Sequence, residues 1–264
     1  RFRTMTTQPP ILTVDAVLFT LLDRTPQPRE LAVWLQMRDH DPFANTLALP
    51  GGFIRTNSDC DARAAISRIL QTKVGLDSSE PSFLEQFQCV SGRHRDPRGW
   101  SMSDVWMTVC SPSLAATIAS KANAAPVAFV PNSEAHRPHA GPWVPLSELH
   151  LHNIAFDHTE IILDATARLR SVASYSSLPL FFFGPQPFSI TEAHLLTQDI
   201  PGRPVDPLTF RKKFEQHFSD VLIPAGSRSI GGRPSKLFQL SALGMCRFSG
   251  LQPFCAHTLP TPPP

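Results

Sequence analysis

Residues 49–76 read LPGGFIRTNSDCDARAAISRILQTKVGL, and this stretch sets the architecture that the sequence predicts. Its opening places Gly51 and Gly52 directly after a proline, which indicates a turn. Apolar residues recur at helical spacing over residues 62–72, and Gly75 is a plausible helix stop. The stretch therefore predicts a loop, a helix and a second loop.

Aliphatic and β-branched runs on both sides of this stretch predict strands. Residues 11–22 and 31–38 predict a hairpin around a proline-bearing turn at residues 26–29. Residues 83–90 and 104–110 predict two further strands. Mixed strands and helices in this order place the first part of the chain in the α/β class.

The chain of 264 residues fits two small domains. The first is predicted over residues 9–174, closed by a helix that begins near Asp157, and residues 112–142 predict a helix followed by a surface insertion. Residues 175–187 are rich in proline and aromatic residues and predict a short packed linker. Residues 249–264 end in TLPTPPP and are expected to be disordered.

Residues 188–248 predict a second domain that begins with two helices. The first is short, with Ser189 as its N-cap. Asp206 and Pro207 are an N-cap followed by proline at the first helical position, so they predict a second helix over residues 207–218. Its apolar stripe is expected to comprise Phe210, Phe214 and either His217 or Phe218.

The second helix is basic, and a basic hairpin follows it. Residues 222–224 and 237–240 flank the turn-forming segment GSRSIGGRPSK. Two helices followed by a basic hairpin predict a winged helix-turn-helix, whose second helix enters the major groove while the wing contacts phosphates. The expected DNA-binding residues are Thr209, Arg211, Lys212, Lys213, Arg228, Arg233 and Lys236. The alternative is a solvated helix face without a partner.

Charge is distributed unevenly along the chain. The formal net charge is +2, but residues 203–247 carry eight basic residues against three acids, a local charge of +5. The remainder of the chain is then at −3. This asymmetry favours an anionic partner for the C-terminal part.

Cysteine usage and hydropathy bear on the compartment. The five cysteines are scattered without metal-binding spacing, which is typical of thiols in a reducing cytoplasm. No apolar run approaches the roughly 20 residues of a membrane span, so no membrane association is expected. We expect Met5 to be the start residue, with RFRT as upstream sequence.

The chain resembles the NrtR group, Nudix-related transcriptional regulators of NAD metabolism in bacteria. The resemblance runs from Ile11 to Leu240, and its carriers are TVDAVLFTLLD, LPGGF, FLEQF, RDPRGW, AFDHTEIILDATARLR, and the pairing of DPLTFRKKF with GRPSKLFQL. It implies a Nudix αβα sandwich followed by a C-terminal winged helix-turn-helix domain. It also implies that the first domain senses ADP-ribose or a related nucleotide and that a homodimer binds operator DNA.

The metal-binding positions of the Nudix box depart from the family pattern. In Nudix hydrolases, glutamates on one face of the box helix bind magnesium or manganese. Here the aligned positions carry Ile69, Thr72 and Lys73, with Cys60 at or near the earlier one. Hard divalent cations require several oxygen ligands, so we expect no metal site, no catalytic residue and no required cofactor. Asp59 and Asp61 lie nearby as alternative ligands, and Mg²⁺ would matter only if hydrolysis persisted.

A diphosphate requires hydrogen-bond donors and positive charge, and several residues in the resembling segments supply both. The expected ligand-binding residues are Arg38, Gly51, Gly52, Phe53, Arg95, Arg98, Asp157 and His158. For the three arginines, the alternative is a salt bridge with Asp96, Asp104 or Glu85.

Asp157 and His158 resemble the acid/base pair of a hydrolase, but we favour a helix cap for Asp157 and packing beside the pocket for His158. Trp100, Trp106 and Phe53 either stack on the adenine or belong to the core.

Three functions remain open at this point. The first is a DNA-binding regulator, a repressor of NAD metabolism genes, whose degenerate Nudix domain senses a nucleotide. The second is a Nudix hydrolase of ADP-ribose or another nucleoside diphosphate derivative. The third is a ligand-binding protein whose DNA-binding function has decayed.

Overall fold

A computed structural model describes residues 9–24, 27–76, 83–124, 143–202, 204–229 and 234–241. The strands are β1 Ile11–Arg24, β2 Gln27–Trp34, β3 Gln36–Met37, β4 Leu47–Ala48, β5 Gly51–Phe53, β6 Leu84–Gly92, β7 Ser101–Val109, β8 Trp143–Pro145, β9 Phe188–Ser189, β10 Leu222–Arg228 and β11 Ser235–Leu240. The helices are α1 Ala62–Ile69, α2 Pro112–Ala124, α3 His158–Ala173, α4 Ile190–Asp199 and α5 Pro207–His217.

Strand β1 lies at the centre of the larger sheet, whose order is β6-β7-β1-β2-β8, with β5 also paired to β1. The strands β1 and β7 are parallel, and the other pairs are antiparallel. Side chains of β1 alternate between two cores: Val17 and Phe19 pack with α3, whereas Ala16 and Leu18 pack with α1 and α2. Because both faces are covered, the strand is apolar throughout its centre, and the predicted αβα layering is confirmed.

The predicted turn at residues 26–29 is wrong in its position. Strand β2 begins at Gln27, and the antiparallel ladder already pairs Arg24 with Gln27. Backbone pairing with β1 extends the strand into a proline-bearing segment that local preferences assign to a turn. In the predicted insertion, α2 covers Pro112–Ala124, and residues 125–142 lie outside the described residues, as do Met5 and the tail at residues 249–264.

The box helix begins and ends as its sequence predicts. The Asp61 side chain accepts a hydrogen bond from the Ala64 amide at 2.7 Å, which caps α1. A π-helical turn, Leu70–Val74, continues the helix. Gly75 then adopts φ 76°, a left-handed conformation that glycine tolerates, and the helix ends there.

The C-terminal elements form a helix pair with a three-stranded sheet of order β10-β11-β9. Ser189 and Glu192 form a reciprocal capping box at α4, and Asp206 accepts from the Thr209 amide at 2.7 Å to cap α5. Both predicted N-caps are confirmed. The apolar stripe of α5 is buried and consists of Phe210, Phe214 and Phe218. The hairpin strands are longer than predicted, since backbone pairing continues towards the tip as far as Arg228 opposite Ser235.

The junction between the two parts of the chain is packed. A 3-10 helix, Leu178–Phe183, lies in the predicted linker, and most of its side chains are buried. From α4, Leu196 and Ile200 join the core that β1 and α3 form. Arg29 of β2 donates to the Asp199 carboxylate at 2.9 Å across the same junction. The first part of the chain and α4 therefore share one hydrophobic core.

Candidate functional site: a cation-lined pocket and a basic helix

The glycine turn of residues 49–76 lies against the central strand. Gly51 pairs with Asp15, and a Cβ atom at Gly51 would lie 1.7 Å from Asp15 Oδ1. Asp15 also accepts a hydrogen bond from the Ser103 hydroxyl. Only glycine fits at this position, and the turn brings the backbone of β5 directly beside a buried carboxylate.

A pocket lies beside this turn, and the buried His158 is one of the residues that line it. The Leu49 amide donates to His158 Nδ1 at 3.0 Å, so the proton of the neutral ring lies on Nε2, which is 3.8 Å from Asp15 Oδ1. Burial lowers the pKa of His158, although the charge of Asp15 opposes this effect. The ring is therefore neutral near pH 7. The predicted packing of His158 beside the pocket agrees with this position.

Arg38 also lines the pocket. Its Nε donates to the Pro42 carbonyl at 2.9 Å, and its guanidinium carbon lies 4.9 Å from the centre of the Phe156 ring. Burial, assisted by the charge of Arg98, lowers the pKa of Arg38. Among the described residues, Arg38 forms no salt bridge with Asp96, Asp104 or Glu85, so its charge is held by backbone carbonyls and an aromatic face.

Arg95 and Asp157 form a bidentate ion pair. Arg95 Nε and Nη2 donate to the two carboxylate oxygens of Asp157 at 2.9 and 3.0 Å, and Nη1 donates to the Ser101 hydroxyl at 3.2 Å. The predicted capping role of Asp157 is wrong: it occupies the N-cap position of α3, but its side chain caps no amide. The Asp157 carboxylate instead accepts both hydrogen bonds from Arg95, because a charged bidentate pair is stronger than a single hydrogen bond to a backbone amide.

Arg98 is held in a similar way. Its guanidinium donates to both Asp96 oxygens, at 3.0 and 2.7 Å, and lies 5.1 Å from the centre of the Phe53 ring. Burial would raise the pKa of Asp96, but the hydrogen bonds and charge of Arg98 outweigh it and the pKa is lowered. The salt-bridge alternative with Asp96 thus holds for Arg98, which nevertheless lines the pocket.

The pocket collects most of the residues expected to bind ligand. Seven of the eight line it: Arg38, Gly51, Gly52, Phe53, Arg95, Arg98 and His158. Asp157 does not, and it supports the pocket through Arg95 instead. Trp106 is buried in the core and donates to Asp104 at 2.8 Å, whereas Trp100 is exposed and outside the pocket.

Sequence reasoning missed several lining residues. Phe156, Asp15, Arg55, Arg68 and Lys73 also face the pocket. The sequence offered a signal for each, since Asp15 and Phe156 lie in motifs that carry the family resemblance, and the other three lie in the stretch of residues 49–76. Six cationic side chains and two carboxylates line the pocket. Asp157 and Asp59, which lie outside the lining, pair with Arg95 and Arg68, so an excess of two formal positive charges remains. Such a pocket suits a polyanionic ligand.

The carboxylates near the box are engaged elsewhere. Asp59 accepts from Arg68 Nε at 2.8 Å and from Nη2 at 2.6 Å, and this pairing lowers the pKa of Asp59 to about 2. Asp61 caps α1, and neither carboxylate lines the pocket. Among the described residues, no group of three histidine, cysteine, aspartate or glutamate side chains is placed to hold a metal ion. The residues at this site do not fit a divalent metal.

The basic residues of α5 lie on the face opposite its buried stripe. Arg211 and Lys212 are exposed, and Arg211 Nε lies 3.5 Å from the Glu215 carboxylate one turn later. Thr209 is exposed at the start of the helix, while Lys213 is half-buried. The helix therefore presents positive charge to solvent.

The wing carries two of the expected residues in the described part of the chain. Lys236 is exposed, and Arg228 Nη2 donates to both oxygens of Glu192 at 2.7 and 2.8 Å. Burial would raise the pKa of Glu192, but hydrogen bonds from Ser189 and the charge of Arg228 lower it. Arg233 lies outside the described residues. The ion pair between Arg228 and Glu192 therefore connects the wing to the first turn of α4.

Comparison with known proteins places this arrangement among regulators. The crystal structure of Shewanella oneidensis NrtR complexed with a 27mer DNA is 31% identical, covers 88% of this chain and 94% of its own, and superposes with a TM-score of 0.71. The same protein without DNA gives 0.69. The ADPR responsive transcriptional repressor NtrR of Acinetobacter baylyi is 29% identical over 88% of this chain and 82% of its own length. No family model matches the chain.

A Nudix-type pocket lined with cations and joined to a winged helix defines a regulator class in which one domain senses a ligand and the other contacts DNA. The chain belongs to the NrtR family of Nudix-related transcriptional regulators. None of the described helices combines the length and the apolar character that a bilayer crossing needs.

Proposed function

We propose that the protein is a transcriptional repressor of NAD metabolism genes, active in the cytoplasm as a homodimer and regulated by ADP-ribose or a related nucleotide. In this proposal, residues 9–174 form the sensing domain, residues 175–187 the packed linker and residues 188–248 the DNA-binding domain. The exposed basic face of α5 is the observation that carries the proposal.

The geometry of the C-terminal domain supports DNA binding. Helix α5 is anchored by three buried phenylalanines, so its opposite face is fixed in orientation and carries Thr209, Arg211 and Lys212. Lys236 adds a positive charge on the wing. Phosphate neutralisation by such residues supplies affinity, and the helix in the major groove supplies the base contacts. The Shewanella relative was crystallised with DNA, which agrees with this role.

The geometry of the pocket supports a nucleotide effector. Arg38 and Lys73 make no ion pair with any described carboxylate, so they remain available to phosphate oxygens. Phe53 and Phe156 offer aromatic faces beside them. The Acinetobacter relative is named as responsive to ADPR, and the diphosphate of that molecule matches the positive charge of the pocket.

The effector acts by linkage in this proposal. A ligand shifts operator binding only if it has different affinities for the DNA-bound and free states. We expect ADP-ribose to weaken operator binding, and operator DNA to weaken ADP-ribose binding by the same factor.

The test is a fluorescence anisotropy titration of the full chain with a labelled palindromic operator from a promoter of an NAD biosynthesis or salvage gene. We expect binding that weakens with salt and with added ADP-ribose, and light scattering should report a dimer. Arg63→Ala, which removes an exposed charge outside both sites, serves as the control. Failure to bind at any salt concentration would refute the repressor, and an operator affinity that ADP-ribose leaves unchanged would refute this effector.

A further inference from the structure

The last turn of the box helix places an ammonium group inside the pocket. Lys73 Nζ donates to the Gly51 carbonyl at 2.5 Å, across the same glycine turn whose other side meets Asp15. Its side chain lines the pocket, as does that of Ile69. The position is one at which the Nudix pattern has a glutamate.

The neighbouring box positions offer no oxygen to a cation. The Thr72 hydroxyl donates to the Arg68 carbonyl at 2.7 Å within the helix. Ile69 packs against the glycine turn, since a Cβ atom at Gly52 would lie 2.9 Å from its Cδ1. Cys60 is exposed and does not line the pocket. A hard divalent ion would meet hydrocarbon and an ammonium group where it requires carboxylates.

The surroundings of Lys73 favour an anionic partner. Burial lowers the pKa of Lys73, and the charges of Arg38 and Arg68 lower it further, whereas Asp15 and Asp39 raise it. A phosphate oxygen placed beside the ammonium would favour its charged form, because an opposite charge within a few ångströms stabilises the ion. Lysine is an effective point-charge binder of phosphate.

We propose that Lys73 takes the place of the divalent cation, so that this pocket binds the diphosphate of its nucleotide as the metal-free anion. The inference rests on the proposed nucleotide effector. An ammonium group neutralises phosphate oxygens, but it does not generate a metal-bound hydroxide, so the diphosphate stays intact while bound. A lysine in place of the glutamate therefore removes a metal ligand and supplies a positive charge in place of the metal ion.

The experiment measures ADP-ribose binding to the full chain by calorimetry, once in EDTA and once in MgCl₂. We expect the two dissociation constants to agree within about twofold, and Lys73→Met to weaken binding by roughly tenfold or more, the range for losing a charge-assisted hydrogen bond. Lys121→Met is the matched control, since Lys121 Nζ likewise donates to a backbone carbonyl, that of Gly75 at 2.9 Å, but lies outside the pocket. Lys73→Arg should retain most of the affinity.

The outcomes separate this inference from the proposed effector. The inference would be wrong if magnesium strengthened wild-type binding by tenfold or more, or if Lys73→Met bound ADP-ribose as tightly as Lys121→Met. Either result would leave ADP-ribose as the effector. If ADP-ribose failed to bind in both buffers, the effector and this inference would fall together. Should Lys73→Met unfold, the wild-type comparison and the Lys73→Arg variant still decide the question.

Discussion

The pocket and helix α5 are both rich in positive charge, but the two regions hold it differently. In the pocket, Arg68, Arg95 and Arg98 are each fixed by two hydrogen bonds to one carboxylate. On α5, Arg211 is 66% exposed and touches Glu215 only at 3.5 Å. The pocket presents guanidinium groups at set positions, whereas the helix presents Arg211 and Lys212 as exposed side chains.

This difference separates two kinds of recognition. Fixed donors favour one ligand geometry, because little side-chain entropy remains to be lost on binding. Exposed charges neutralise the phosphates of a nucleic-acid backbone and contribute a salt-sensitive affinity. We therefore expect mutations in the pocket to alter which ligand binds, and mutations on α5 to alter how strongly DNA binds at a given salt concentration.

The largest expected effect comes from removing charge on α5. The double variant Arg211→Ala with Lys212→Ala should lose on the order of 10- to 100-fold in operator affinity at moderate salt, and the salt slope should fall by about 2. ADP-ribose affinity should be unchanged, because neither residue lines the pocket. Anisotropy titrations over a range of KCl concentrations measure both quantities. An unaltered slope in the double variant would show that these side chains do not meet phosphates.

A smaller effect is expected from loosening one fixed guanidinium in the pocket. Arg95→Lys keeps the charge but cannot form the two parallel hydrogen bonds to Asp157, so ADP-ribose affinity should fall by roughly tenfold. Operator affinity without effector should match the wild type. Calorimetry measures the ADP-ribose affinity, and fluorescence anisotropy measures the operator affinity. If Arg95→Lys bound ADP-ribose as tightly as the wild type, fixed geometry would not be the source of pocket affinity.

The smallest effect concerns pH and the neutral histidine of the pocket. The folded-state pKa of His158 is lowered by burial, so the unfolded chain binds more protons below about pH 6.5. The neutral His158 ring contributes fully to the free energy of unfolding above that pH. This contribution is lost as the pH falls towards the folded-state pKa, by at most about 1.4 kcal/mol per pH unit. Urea unfolding at pH 7.5 and 5.5 should show a steeper loss for the wild type than for His158→Gln. Equal losses would contradict a neutral buried ring.

The sequence predicted those features that local chemistry controls. The Asp206–Pro207 pair and the phenylalanines at four-residue spacing located α5, and Ser189 located the start of α4. Positions set by distant contacts were missed. Phe156 adopts φ 58° and reaches the pocket only through the folded chain. Asp157 is the clearest example, because its side chain does not cap the helix but pairs with an arginine 62 residues away.

The same limit applies to Lys73. In the sequence, Lys73 indicated only the loss of a metal-binding glutamate. Its contact with Gly51, 22 residues earlier, depends on how the box helix packs against the glycine turn. The residue pattern indicates which metal ligands are missing, while the position of the Lys73 ammonium group beside Gly51 is visible only in the folded chain.

The packed junction affects how the chain unfolds. Because Leu196 and Ile200 of α4 belong to the core of the first domain, removing the C-terminal part after the linker would expose apolar surface on β2 and α3. The Arg29–Asp199 pair would lose one partner as well. The two halves should therefore melt as one cooperative unit.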